Sequence, residues 1–389
     1  MFAVLLLAAC ASGNDAAETN RSDSHDTDAV DTDACGIPAE CPLREVAGAR
    51  DVLIGAAVEP GPLASDAAFA QTLASEFNSV TPENALKWGA LHPEPDTWVF
   101  EPADAIVAFA ADHDLAVKGH TLVWDSPYLD TVPGWVEAIQ DPAALRAVLQ
   151  DHITTVMTHF DTVDRWDVVN EPFLVAEGAL YEGHFYRVLG PDYIAEVFRM
   201  ARAADPDARL YLNENSVEYV PEKGAALLDL ITQLVAGGVP IDGVGLQMHL
   251  FNGAPAPGVV AEMVEAFTDL GLEVAITELD VPLREGDDLA AQAEIYEQVL
   301  GECLDAGCRD ITLWGFTDRY SWINSSYIGP GRQPLIFDGE YAPKPAYAAL
   351  WRLLAAESGP DRTSRQMMGD SNRAGRVARV AAPLATGRR

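Results

Sequence analysis

Between Asp51 and Ala356 the chain alternates short, almost wholly apolar runs with longer stretches whose apolar residues recur at helical spacing. The short runs cover residues 52–58, 77–81, 115–124, 163–170, 209–213, 243–250, 273–280 and 311–316, and their length and composition predict strands. Helical patterns fall between most of them, at 142–160, 193–204, 222–236, 259–270 and 289–306, with Pro or Asp near several starts. Repeating βα units imply a parallel sheet with right-handed crossovers. Eight of them in roughly 300 residues predict an α/β protein built as a single (β/α)8 TIM barrel.

The polar residues interrupt this pattern in most units, at or near the ends of the short runs. Glu83, His120, Asn170, Glu171, Asn213, Glu214, Gln247, His249, Glu278 and Trp314 sit at or just past the C-terminal ends of predicted strands. In a barrel those ends converge on one face, where active sites form. Polar groups at otherwise apolar strand ends are costly without partners, so their concentration there argues for a site.

The flanks read differently. Residues 1–10 begin with an apolar run too short to span a bilayer, where about 20 residues are needed, and it reads as the core of an export signal. The expected basic start is missing, but Leu7-Ala8-Ala9-Cys10 resembles a bacterial lipobox and makes Cys10 a lipidation candidate, with an ordinary signal as the alternative. Residues 11–42 are mostly rich in Asp, Ser, Thr and Ala and predict a flexible acidic tether, followed by a catalytic domain over 43–358. Residues 359–389 predict a disordered basic tail, with seven Arg against two Asp beyond residue 360. The expectation is an exported, extracellular or cell-surface lipoprotein, tethered through Cys10 and monomeric. Export permits disulfides. Cys35, Cys41, Cys303 and Cys308 allow three connectivities, of which local pairing is preferred, with free thiols as the alternative.

Charge narrows the field of partners. Sixty acidic against 25 basic side chains give a net charge of −35. Such a chain repels phosphate backbones and anionic headgroups, so nucleic acid is not an expected partner. Neither His120 nor His249 belongs to an HExxH or similar pattern, so no metal and no cofactor are expected.

Glu171 ends one predicted strand and Glu278 another. Two carboxylates across a barrel mouth, among Trp, Asn, His and Gln, suit glycoside hydrolysis: one protonates the leaving oxygen and the other acts as nucleophile or base. Taken singly, each could be a salt-bridged or capping group. Glu83 and Lys87, four apart, could be an ion pair on a helix surface. Trp124, Trp314 and Trp322 could be core, although aromatic faces commonly pack on sugar rings, and the two histidines could be satisfied interior groups.

The motifs together resemble glycoside hydrolase family 10, the retaining endo-β-1,4-xylanases. Carrying segments are residues 81–88 (TPENALKW), 119–124 (GHTLVW), 166–172 (WDVVNEP), 185–190 (FYRVLG), 245–249 (GLQMH), 276–280 (ITELD), 314–318 (WGFTD), 320–322 (YSW) and 343–347 (PKPAY). The resemblance implies a xylan or xylo-oligosaccharide substrate, with Glu171 as acid/base and Glu278 as nucleophile. It implies that Asn170 binds the 2-hydroxyl at the cleavage point and that His249 holds Glu278. Gln247, His120, Lys87 and Trp124 would line the same subsite, Glu83 and Asn84 would bind the next glycone sugar, and Trp314 and Trp322 would roof and wall these sugars. It also fits a small loop closed by Cys303 and Cys308.

Two departures bear on subsites. The usual Trp-His-Ser-Gln reads Trp124-Asp125-Ser126-Pro127, and the usual Asn-Asp-Tyr-Asn reads Asn213-Glu214-Asn215-Ser216. These leave open a xylan-binding protein of little turnover, or the same mechanism on another β-1,4-glycan.

Overall fold

The computed structural model describes residues 41–129, 131–325 and 329–356. Cys10, Cys35, the acidic tether up to residue 40 and the tail from residue 357 lie outside the described residues. Eight parallel strands close into a barrel in sequence order: β1 Leu53–Val58, β2 Ser79–Pro82, β3 Ala116–Trp124, β4 Arg165–Asn170, β5 Arg209–Glu214, β6 Gly243–Leu246, β7 Glu273–Leu279 and β8 Asp310–Leu313. All eight coincide with the apolar runs. The largest differences are at β6 and β8, which stop short because Met248 and Gly315 take left-handed backbone angles, φ 63° and 98°.

The helices form the outer ring expected of alternating βα units. Tyr193–Ala204 and Leu289–Ala306 have the predicted bounds, and Pro142–His159 differs by one residue. The Asp signals act as caps: Asp141 Oδ1 accepts from the Ala144 N–H at 2.8 Å, and Asp288 Oδ1 accepts from Ala290 and Ala291. Cys303 and Cys308, at the end of the helix Leu289–Ala306 and just before β8, are joined by a disulfide.

Inward side chains of alternate strands fill the barrel in layers. Near its base Arg165 of β4 reaches Asp310 of β8 at 2.8 Å and Ser79 of β2 at 3.1 Å. Above it Lys118 pairs with Asp167 at 3.3 Å and lies 4.1 Å from the centroid of the Tyr211 ring. Neighbouring residues face out. Trp166 is buried against Gly119, where an added Cβ would lie 2.2 Å from the indole, so only glycine allows this approach. Register shifts occur between His120 and Val123, between Asp167 and Val169, and between Ile276 and Leu279, close to the mouth, where they re-aim side chains.

One core contact has a pH consequence. His152, fully buried on the helix Pro142–His159, stacks on Trp88 at 3.9 Å. Burial, with the neighbouring His92 charge, pushes its imidazole down to about 3 from 6.5. The unfolded chain therefore binds a proton near pH 6.5 that the folded chain refuses until about pH 3. Its contribution to stability is complete above pH 6.5 and declines as the pH falls, by up to about 5 kcal/mol. His152→Phe keeps a ring on Trp88 and removes the titration. The loss of unfolding free energy between pH 7 and pH 4, measured by denaturant titration, should shrink in the variant; an equal loss in both proteins would refute this assignment.

Candidate active site

At the barrel mouth the two glutamates occupy different environments. Glu171 follows β4 with φ 52°, a conformation that a non-glycine residue adopts only where its surroundings hold it. Its N–H donates to the Asn213 carbonyl at 2.9 Å. Its carboxylate, half-buried, accepts from Trp124 Nε1 at 3.2 Å and from Gln247 Nε2 at 2.9 Å.

Glu278, near the end of β7, is buried. Its Oε1 accepts from Asn213 Nδ2 at 2.7 Å and its Oε2 from His249 Nε2 at 3.1 Å. His249 Nδ1 in turn faces Asp280 Oδ2 at 2.9 Å. Burial alone would push His249 down, but the Asp280 charge and the bonds to both carboxylates hold it well above its ordinary value. At neutral pH it is an imidazolium donating from both nitrogens. Burial alone would likewise raise Glu278; the His249 hydrogen bond and the charges of His120, His249 and Lys87 outweigh it and hold Glu278 below the usual carboxylate range.

Asn213 links the two centres. Its Nδ2 also donates to Asn170 Oδ1 at 2.8 Å, while its Oδ1 accepts from Thr277 Oγ1 at 2.6 Å, which fixes the amide orientation. Gln247 Nε2 lies 3.3 Å from Asn170 Oδ1 as well as bonding Glu171. Trp322 Nε1 donates to Asp280 Oδ2 at 2.9 Å, so one carboxylate positions both His249 and the Trp322 indole. His120 is held by Asp167 at 3.0 Å and packs edge-on to Trp314, centroids 5.1 Å apart.

Glu83 and Lys87 do not form the surface helix pair that their spacing allowed. Residues 83–87 form a turn after β2. Lys87 Nζ donates to Asn84 Oδ1 at 2.6 Å and lies 4.9 Å from the Trp124 ring and 5.9 Å from that of Trp314. Burial lowers Lys87, although Glu278 and Glu83 oppose the shift. Burial and the nearby Glu59 push Glu83 up to about 7, with Lys87 opposing.

The mouth thus gathers all twelve catalytic and substrate-binding candidates. Sequence reasoning left Asn213, Asp280 and Asp167 outside that set, although each orients one of its members. The visible signal was their place: Asn213 and Asp280 stand at or beside strand ends, and Asp167 points inward three residues before the end of β4. Asn215, where the usual aromatic is missing, is buried and accepts from Lys223 Nζ at 3.0 Å, so it turns away from the cleft. Lys223 also pairs with the fully buried Glu214 at 2.8 Å. Among the described residues no group of three or more His, Cys, Asp or Glu is arranged to hold a metal ion.

The sequence model of glycosyl hydrolase family 10 matches residues 42–353. The chain belongs to glycosyl hydrolase family 10. Endo-1,4-beta-xylanase B of Thermotoga neapolitana is 39% identical over 325 residues, covering 81% of this chain and 92% of that protein. Endo-1,4-beta-xylanase 1 of Humicola insolens is 37% identical over 330 residues, 82% of this chain and 75% of the relative. A crystal structure of xylanase 10B from Thermotoga petrophila RKU-1 in complex with xylobiose superposes with a TM-score of 0.75 at 39% identity, covering 80% of this chain and 97% of that one. The family 10 match ends within two residues of Ala355, the last residue of the helix Pro345–Ala355, so the matched region and the barrel coincide.

Proposed function

We propose that the protein is a retaining endo-1,4-β-xylanase that cleaves internal bonds of xylan by double displacement. The observation that carries this reading is the asymmetry of the two carboxylates. Glu278 is locked between Asn213 and the His249 imidazolium and held ionised, as a nucleophile requires, while Glu171 accepts at the cleft from two neutral donors, Trp124 and Gln247. The endo-1,4-beta-xylanase relatives and the xylobiose-bound relative support the substrate class.

In the first step a Glu278 oxygen attacks the anomeric carbon while Glu171 gives its proton to the departing glycosidic oxygen. In the second, Glu171 takes a proton from water, and the water oxygen displaces Glu278 from the same carbon. Asn170, its carbonyl oxygen fixed by Asn213, turns its amide donors toward the 2-hydroxyl of the sugar being cleaved. Lys87, His120 and Gln247 complete that subsite with Trp124 beside Glu171; Glu83 and Asn84 bind the next glycone sugar under Trp314 and Trp322. Export and a lipid anchor at Cys10 belong to the same proposal, supported by the apolar run and the Leu7-Ala8-Ala9-Cys10 sequence.

Reducing-end release from xylan tests the activity. Purified protein should release sugar ends steadily, with short oligosaccharides of several lengths among the early products; release no faster than from a Glu278→Gln control would overturn the reading.

A further inference from the structure

Behind the acid/base lies a buried ion pair that the double displacement does not use. Glu214, the last residue of β5, and Lys223, in the first turn of the helix Pro221–Ala236, are both fully buried, with Nζ 2.8 Å from Oε1. The other Glu214 oxygen, Oε2, accepts from the Phe173 N–H at 3.1 Å. Pro172 follows Glu171 and has no N–H, so the Phe173 amide is the first backbone donor past the acid/base. The left-handed turn at Glu171 is therefore held from both ends by β5: its own N–H is fixed on the Asn213 carbonyl, and the Phe173 N–H on the Glu214 carboxylate. Glu214 reaches Glu171 by a second route, because its carbonyl accepts from the Gln247 N–H at 3.0 Å and Gln247 Nε2 donates to Glu171. The loop that follows Glu171 rests on the helix that supplies Lys223, where a Cβ at Gly178 would lie 2.7 Å from the Glu222 carbonyl oxygen.

Two departures from the usual sequence meet in this cluster. Glu214 stands in place of an aspartate, and the added bond, about 1.5 Å, lets one carboxylate span Phe173 and Lys223. Asn215 stands in place of a tyrosine; its N–H donates to Glu214 Oε1 at 2.8 Å and its Oδ1 accepts from Lys223 Nζ at 3.0 Å. Burial pushes the Glu214 carboxyl up to about 7, against the pull of Lys223 and with the Glu171 charge adding to the rise, so the two carboxyls feel each other. We propose that Glu214 is a positioning residue for the acid/base: anchored on Lys223, it fixes the turn from Glu171 to Phe173 and so keeps the Glu171 carboxyl aimed at the departing oxygen. This rests on the xylanase reading.

The test uses the whole protein in two variants. Glu214→Asp keeps a charge beside Lys223 but is too short to serve Phe173 as well. Glu214→Leu with Lys223→Met removes both charges together, a replacement that buried pairs commonly tolerate; Glu214→Asp, which keeps the ion pair, carries the comparison alone if the double variant does not fold. A reacting group moved by about 1 Å can lose about a hundredfold in rate. On xylotetraose, whose leaving oxygen must be protonated, kcat should fall about tenfold or more in each folded variant, with KM within about twofold of wild type. On dinitrophenyl xylobioside, whose phenolate leaves unprotonated, kcat/KM should stay within about threefold. A pair that served the fold alone would lower both substrates alike or neither. Equal losses on the two substrates, or wild-type kcat on xylotetraose in Glu214→Asp, would overturn the positioning role while leaving the xylanase reading intact. Xylotetraose that the wild-type protein does not cut would defeat both.

Discussion

Replacing Glu278 by Gln lowers kcat on xylo-oligosaccharides by about 10⁴-fold or more, with KM little changed, because the amide keeps the shape of the site and lacks the attacking oxygen. The effect has a second signature. With a 2-fluoro xylobioside carrying a reactive leaving group, the wild-type protein should gain the mass of one 2-fluoro-xylobiosyl unit on the peptide containing Glu278, and the variant none. The structure explains why Glu278 and not another carboxylate is the target. Asp280, two residues further on and just past the end of β7, is occupied by His249 and Trp322, and Glu214 is sealed against Lys223. Full activity in Glu278→Gln, or a label on a different residue, would refute the assignment.

Glu171→Ala should show a loss that depends on the substrate. On xylan, where the leaving oxygen needs a proton, turnover falls about 10²–10⁴-fold. On an aryl xylobioside whose phenolate leaves without protonation, formation of the glycosyl-enzyme should be far less affected, and its hydrolysis becomes the slow step. Added azide, an anion that needs no general base, should then restore turnover and give a β-xylobiosyl azide. The pH profile adds a check on Glu278. Activity requires Glu278 ionised, and because its carboxyl is held below the ordinary 4.5, the acid limb of the wild-type profile lies below that pH. An equal loss on both substrates, with no response to azide, would show that Glu171 is not the proton donor.

The barrel was legible because each strand is covered on both faces and reads as a continuous apolar run, and because polar residues break those runs at their C-terminal ends. The catalytic pair was legible for the same reason. What spacing left open was long-range pairing. Glu83 and Lys87 are four apart, as on a helix, and only the fold shows that Lys87 faces Asn84 and two tryptophans instead. Asn213 looks like one more polar strand end, yet it bridges side chains 43 and 65 residues away, a role that local pattern cannot carry. The hold of Glu214 on the turn after Glu171 was invisible for a similar reason, since Phe173 lies 41 residues before it.

The measurement that bears most directly on the double displacement is the configuration of the first product. Proton NMR of xylo-oligosaccharide hydrolysis, recorded faster than mutarotation, should show the β-anomer at the new reducing end before the α-anomer grows in. An initial α-anomer would mean direct attack by water and would contradict Glu278 as the nucleophile.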